Sequence, residues 1–451
     1  MSRIPMPNEE LHIDAMPTKA FFVDMLVRDI PLERAVLDLV DNCIDGAKRM
    51  RPGEEPDFHG LNVSVHLDGD GFEIADNCGG FDVETARNYA FRFGRPEKAA
   101  STDYSIGQFG VGMKRALFKF GRYFEVHSTT TKQRWSMHVD VDTWERDEGN
   151  WYFDFANVEE GQFADAEVGT RIIVKRLRPE VSRQFASEHF KRQLSEMIRS
   201  HQRQFLAFGL AIDFGGLHLT NTDLRIRSGG QFNPAIEEFA VDDDTDAPVN
   251  VRIVAGISES SPTAAGWYVI CNGRVILSAD RSESTGWNSV AEQKDGIPKY
   301  HNQYARFRGA VFFSCRDSKK LPWNTTKTGL DASTTVWQLT FPKMLDHTRT
   351  VINFLNALDN SIEEYGAKAS PLLVALNKET LAKEVEKFRG PATFSWNRTP
   401  QVPGPKTIKI QYSREETKIQ SLMTALGVTS AKAVGEKTFD IIFEEQGGED
   451  Q

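Results

Sequence analysis

Asp38-Leu39-Val40-Asp41-Asn42-Cys43-Ile44-Asp45 reads as a helix face set with oxygens. Asp38, Asn42 and Asp45 are spaced i, i+4, i+7 and share that face. Val36, Val40, Ile44 and Ala47 fall opposite, as a stripe to be buried. Pro31 suits a first helical turn and Arg51-Pro52-Gly53 a stop, so the pattern predicts a helix over about 31 to 50. An amide oxygen from Asn42 can ligate Mg2+, a hard cation that keeps most of its waters and takes few protein ligands. Asp38, one turn earlier, is placed to polarise a water. Taken alone, the same pattern is that of an ordinary surface helix with a solvated polar side.

The next stretches narrow the choice. Val63, Val65 and Leu67 alternate as a strand, and Asp68-Gly69-Asp70-Gly71 turns it into a second one near Phe72 to Ala75. That strand runs into Asp76-Asn77-Cys78-Gly79-Gly80-Phe81. An aspartate there can accept a hydrogen bond from an exocyclic amine, and Gly79 and Gly80 let backbone approach a flat ring. Gly107-Gln108-Phe109-Gly110-Val111-Gly112-Met113-Lys114 then opens a helix running to about Phe120. Backbone N–H groups at a helix N-terminus suit a triphosphate, and Lys114 adds charge nearby. The run lacks the Gly-Lys-Ser/Thr of a Walker A loop, and no parallel βαβ unit surrounds it as a dinucleotide fingerprint requires. Gly169-Thr170 leads into the alternating strand Arg171 to Lys175. Each motif is weak alone; in this order they describe a site for a nucleotide and a divalent cation.

The rest of the chain sets the frame. Its 451 residues suit two or three domains, and 40% hydrophobic with 26% charged residues is ordinary for a globular protein. A net charge of −10 excludes a chain that is cationic throughout, so DNA binding would need a local basic patch. Arg199, Arg203, Arg225, Arg227, Arg306, Arg308, Arg316, Lys319 and Lys320 could form one if they line a single surface. Cys43, Cys78, Cys271 and Cys315 lie far apart, which argues against zinc and disulfides and for a reducing cytoplasm. The first twenty residues lack an apolar signal core, and no run approaches a membrane span.

Further strands are expected near 122–130, 134–141, 151–156 and 170–176, giving an α+β fold. Val181 to about Phe208 reads as helical, with Phe185, Phe190, Leu194, Met197 and Ile198 facing a core. Asn272-Gly273 between two apolar runs is a hairpin signal. Leu321 to Thr328 reads as an exposed loop, and residues 334–389 as helix-rich. The expected division is an arm at 1–17, a first domain at 18–180, a second at 181–345, a helical region at 346–389, and a linker and C-terminal segment with an acidic tail at 390–451.

The four motifs resemble those of the GHKL superfamily, which groups gyrase, heat-shock chaperones, histidine kinases and MutL. Asp38 to Ala47 resembles its N-box, Asp76 to Gly80 its first glycine box, Gly107 to Gly112 its second, and Gly169-Thr170 its threonine motif. The resemblance implies a Bergerat-type ATP fold over about residues 20–180, with residues 92–111 as the ATP lid. It implies ATP and Mg2+ as cofactors. Asn42, Asp45, Asp76, Gly80, Gly107, Gln108, Phe109, Gly110, Val111, Gly112, Met113, Lys114 and Thr170 would hold the nucleotide, with Asn42 on the metal. Asp38 would be the general base; the hydrolysing branches usually have glutamate there, and the shorter aspartate implies slow turnover. The later region resembles the transducer domain of gyrase, MutL and MORC proteins. Trp323-Asn324-Thr325-Thr326-Lys327 would be the loop whose lysine meets the γ-phosphate.

These readings together imply a cytoplasmic ATPase without membrane attachment, closing as an ATP-dependent homodimer in a MORC- or MutL-like clamp on a DNA or protein client. Two alternatives stand beside it: a chaperone-like ATPase acting on proteins, and a nucleotide-gated scaffold that scarcely hydrolyses ATP. A histidine kinase is disfavoured, since no phospho-acceptor hairpin precedes the first motif.

Overall fold

Alternation decides the first strands. Val63, Val65 and Leu67 are buried and their neighbours exposed in β1 (Asn62–Leu67), and Phe72 and Ile74 are buried in β2 (Gly71–Asp76). The computed structural model describes residues 18–28, 30–53, 56–92, 103–107, 112–147, 149–242, 245–288, 297–324, 327, 329–396 and 410–446. The arm at 1–17, most of the expected lid, Gln108, Phe109, Gly110, Val111 and the last five tail residues lie outside them. The chain divides into two compact units, Met1–Asn397 and Arg398–Gln451.

The first unit is mixed α/β. Two helices, α1 (Lys19–Arg28) and the longer α2 (Leu32–Met50), precede β1, and α3 (Val83–Thr85) with a π-turn over Ala86–Ala90 follows β2. Then come α4 (Gly112–Phe120), β3 (Gly121–Thr129), β4 (Gln133–Asp140), α5 (Val141–Arg146), β5 (Phe155–Glu160) and β6 (Gly169–Leu177). After α6 (Pro179–Phe185), α7 (Glu188–His201) and α8 (Arg203–Ala207), the strands β7 (Ala211–Phe214) and β8 (Leu217–His218) complete a sheet ordered β5-β4-β3-β6-β2-β1-β7-β8. Its pairs are antiparallel except β1 with β7.

A second sheet is ordered β10-β11-β14-β12-β13, from β10 (Ala235–Val241), β11 (Val249–Ile257), β12 (Gly266–Cys271), β13 (Arg274–Asp280) and β14 (Phe307–Ser314). β9 (Arg225–Ser228) pairs with β15 (Leu381–Glu384), and α9 (Thr335–Tyr365) and α10 (Pro371–Glu379) lie between them in sequence. The expected hairpin joins β12 to β13, with Asn272 at φ +47° and Gly273 at φ +87°, the left-handed pair a tight hairpin needs. The second unit contains α11 (Glu416–Leu426) and α12 (Ala431–Glu445).

Three expectations are corrected. The strand expected at 151–156 forms later, at β5. Trp151 and Phe153 instead pad the core, with ring centroids 5.7 and 5.4 Å from Trp144. The single helical span breaks into α6, α7 and α8; Ser187 caps α7, and Met197 is only half-buried while Phe185, Phe190, Leu194 and Ile198 are buried. The loop from Leu321 is not exposed: Leu321, Trp323 and Lys327 are 1%, 5% and 7% exposed, and the Trp323 indole N–H donates to the Ser318 carbonyl. All four cysteines are buried and unpaired. Among the described residues no helix is long and apolar enough to cross a membrane.

α2 departs most from a surface helix. Thirteen of its nineteen residues are buried, including Asp41, Asp45 and Lys48 on the polar side. The apolar stripe of Val36, Val40, Ile44 and Ala47 is fully buried against the core, so protein covers that side and part of the polar one, where Asp38 is half-buried and Asn42 exposed. Gly46 lets α2 meet the first glycine turn: a Cβ there would stand 2.6 Å from the Cys78 carbonyl oxygen. Helix propensity favours Gly46→Ala by about 1 kcal/mol. The clash is with backbone, so the substitution should instead destabilise the protein by roughly 1–3 kcal/mol. Urea denaturation decides between the two, and a stabilised variant would remove this contact as a constraint.

Candidate functional site

The four motifs meet around α2. Gly112 opens α4 directly against Asp38, where a Cβ would stand 3.0 Å from Oδ2. A Cβ on Gly107 would stand 2.9 Å from Asp45 Oδ2. Asp45 Oδ1 accepts from the Ile106 N–H at 2.7 Å and Oδ2 from the Gly107 N–H at 2.6 Å. Asp45 therefore ties down the chain entering the second glycine motif. Asn42 is exposed beside it, its amide oxygen 3.6 Å from the Cβ position of Gly107.

Asp76 ends β2 directly across from Thr170 on β6. Its Oδ1 accepts from the Cys78 N–H at 2.8 Å. Burial pushes its carboxyl pKa up, opposed by hydrogen bonds from Cys78, the Cys43 thiol and the Thr170 backbone. Gly80, at φ +59°, faces backbone rather than open space: a Cβ would run into the Thr129 carbonyl and stand 3.0 Å from the Gly169 oxygen. The glycine is demanded by strand contact. Met113 is half-buried. Lys114 turns inward, 2% exposed, and donates to the Ala90 carbonyl at 2.7 Å; burial pushes its pKa down to about 7.

Lys327 comes to the same helix from the second half of the unit. Its ammonium is 3.0 Å from Asp41 Oδ2 and 3.7 Å from Asp38 Oδ1. Asp41 is completely buried. Its Oδ1 also takes the Arg274 guanidinium and the Gln202 amide, the latter at 2.8 Å. Burial alone would raise the Asp41 pKa, but Arg274 and Lys327 hold it below the ordinary value. Asp38 goes the other way: burial raises its pKa and Lys327 only partly offsets this. A carboxylate of raised pKa beside a glycine-opened helix is suited to taking a proton.

Asp41, Arg274 and Gln202 are the residues to which sequence reasoning gave no role in the site. Asp41 lies within the polar side of the helix, and nothing local distinguishes it from its solvated neighbours. The available signal was Arg274, immediately after the Asn272-Gly273 turn.

Residues 30–170 match the family model for histidine kinase-, DNA gyrase B-, and HSP90-like ATPases. That match makes this segment, about a third of the chain, similar to the ATPase domain of the GHKL superfamily. No curated protein matches it significantly. The matched GHKL segment spans α2, both glycine motifs and the start of β6, but not Lys327 or Arg274. GHKL ATPase domains bind ATP and typically Mg2+. The donors here fit both. Asp76 offers a half-buried acceptor for a base. Asn42 offers one exposed amide oxygen, in keeping with a cation that takes few protein ligands. Among the described residues no group of three His, Cys, Asp or Glu side chains is gathered for a metal.

The basic residues do not form one free cationic stripe. Arg203 and Arg308 are buried, Arg203 against Glu384 and Glu386. Arg199, Arg225 and Arg227 are paired with Glu196, Asp223 and Glu259.

Two tests follow from the buried cluster. Asp41→Asn leaves Arg274 and Lys327 without their shared counterion and should cost roughly 3–5 kcal/mol by urea denaturation; a loss below about 1 kcal/mol would mean both cations find other partners. His201 abuts this cluster, with Nδ1 2.5 Å from the Val275 carbonyl and Nε2 3.3 Å from Arg34. Burial, then Arg274 and Arg34, push its pKa from 6.5 down to about 4. The unfolded chain takes up that proton first, so stability should fall as pH drops from 6.5 towards 4, by roughly 2–4 kcal/mol. Thermal melts of wild type and His201→Gln should converge across that window, and parallel curves would exclude His201.

Proposed function

We propose that this protein binds ATP with Mg2+ and hydrolyses it slowly, using nucleotide-driven closure of a homodimer as a clamp of MORC or MutL type. The observation that carries this reading is Lys327, which reaches from beyond the second sheet to within 3.7 Å of Asp38 on the helix that faces the glycine motifs. On this reading residues 18–180 form the ATP-binding domain and 181–345 a transducer-like domain.

Asp76 accepts a hydrogen bond from the adenine amine, with Thr170 beside it. Backbone N–H groups between Gly107 and Gly112 bind phosphate oxygens. Asn42 would hold Mg2+ through its amide oxygen, and the ion would neutralise charge on the phosphates. Asp38 takes a proton from the attacking water as the water oxygen bonds to the γ-phosphorus and the bond to the ADP oxygen breaks. Lys327 steadies the negative charge on the transferred group. Asp41, Arg274 and Gln202 position Lys327 before the nucleotide arrives. The client is DNA or a protein. The pairing of Lys327 with Asp38 and Asp41 also favours a second reading, a nucleotide-gated scaffold that turns over very rarely.

Calorimetry, turnover and light scattering on one set of variants test the proposal. Asp76→Asn should weaken ATP binding at least about tenfold, since a hydrogen bond to a charged group is worth roughly 1.5–3 kcal/mol. Lys327→Ala should bind ADP like wild type yet lose hydrolysis and the rise in mass with a non-hydrolysable ATP analogue. Unchanged ATP affinity in Asp76→Asn would overturn the site, and unchanged dimerisation in Lys327→Ala would overturn the closure mechanism. Wild type that dimerises with ATP but shows no turnover would decide for the scaffold.

A further inference from the structure

A cavity of about 460 Å³ lies beside the nucleotide motifs: Tyr104 of the expected lid and Lys48 of α2 line it, but none of the side chains assigned to hold ATP does. Its size is that of a small-molecule site, which characteristically joins apolar walls to a few placed polar groups. One wall is a single row across the second sheet. Glu238, Arg252, Phe312 and Ile270 are successive register partners on β10, β11, β14 and β12, and all four line the space. α8 contributes Gln204 and Phe205, and α2 contributes Lys48.

Two buried polar atoms here have no hydrogen-bond partner: Arg252 Nε, and Oε1 of Gln204, a side chain only 8% exposed. Native structures rarely leave such atoms unpaired, so a donor for one and an acceptor for the other are called for. The Arg252 guanidinium lies 4.4 Å from the Phe312 ring centroid, forming a flat cationic and aromatic surface. Lys48, Arg252 and Arg389 outweigh Glu238 among the charged lining residues, so the cavity favours an anion.

We propose that this cavity is a second small-molecule site, for a planar aromatic anion that carries an N–H or O–H donor. The ring lies on the surface made by Phe312 and Arg252, the anionic group faces Arg252, and the donor meets Gln204. Lys48 links the site to the lid end, because its ammonium donates to the Tyr104 carbonyl at 2.8 Å and to the Asn272 carbonyl at 2.7 Å.

The probe is 1-anilinonaphthalene-8-sulfonate, which has a flat naphthalene ring, one sulfonate and one N–H, titrated by fluorescence into the full-length protein without nucleotide. Saturable binding at one site per chain is expected. Arg252→Gln should weaken it about tenfold or more, and Glu238→Gln, which removes a repelling charge, should tighten it. The probe also favours exposed apolar surface, so Phe439→Ser and Ile442→Ser on α12, both exposed in wild type, are made in the full chain as controls and should leave affinity unchanged. Equal affinity in Arg252→Gln and wild type, or loss of binding in the α12 variants, overturns the proposal. Should Arg252→Gln fail to fold, Glu238→Gln decides: tighter binding supports the site, and unchanged or weaker binding overturns it.

Discussion

A carboxylate removed from water must be neutralised, and Asp41 is neutralised from the far half of its own unit. Arg274 arrives at the start of β13, Lys327 from the loop after β14, and Gln202 from between α7 and α8. A buried ion cluster of this kind adds little net stability but penalises any arrangement that separates its members. It therefore fixes how the second sheet sits on α2. The burial of the polar side of α2, including Asp45 and Lys48, accompanies that docking.

The same cluster bears on Asp38. Burial raises the Asp38 pKa while Lys327 lowers it. On the proposed mechanism Lys327 is drawn toward the γ-phosphate, and Asp38 then loses the cation that suppresses its basicity. Asp41 keeps Arg274 and Gln202, so the departure of Lys327 does not strand it. On that mechanism the base would become stronger when its substrate is in place and be held back when the site has no γ-phosphate. That coupling needs two acids three residues apart on one helix, one half-buried and one fully buried, which is what Asp38 and Asp41 are.

Much of this was legible in the residues. The bounds of α2, β1, β2 and α4 follow from apolar alternation, helical spacing and the glycines, because those signals are local. The turn at Asn272-Gly273 was legible for the same reason, since both positions take positive φ. Strand β5 was not, because Trp151, Phe153 and Phe155 alternate like a strand while the first two serve as core padding. Lys327 was singled out by its loop, yet its burial was not foreseen, since a lysine between polar residues gives no sign of two carboxylates hundreds of residues upstream. The roles of Asp41 and Gln202 were invisible for the converse reason: each is polar in sequence, and only the fold removes its water.

The glycine motifs also change meaning once neighbours are known. A Cβ on Gly80 or Gly169 would run into strand backbone, and one on Gly107 or Gly112 into the carboxylates of Asp45 or Asp38. These glycines bring the acids of α2 against the backbone of the second glycine motif, leaving the N–H groups of Ile106 and Gly107 already bonded to Asp45. The short segment from Tyr104 to Gly107 is thus held at both ends. Asp45 holds its later residues, while Lys48 takes the Tyr104 carbonyl and the Asn272 amide the Ser105 carbonyl at 3.3 Å. Asn272 belongs to the β12–β13 turn, one residue away from Gly273 and two from Arg274, which holds Asp41. The second sheet therefore grips both α2 and the end of the segment leading into the glycine motif. Any rearrangement that moves that sheet must shift the two together, and on the proposed function that is the physical route from nucleotide state to domain position.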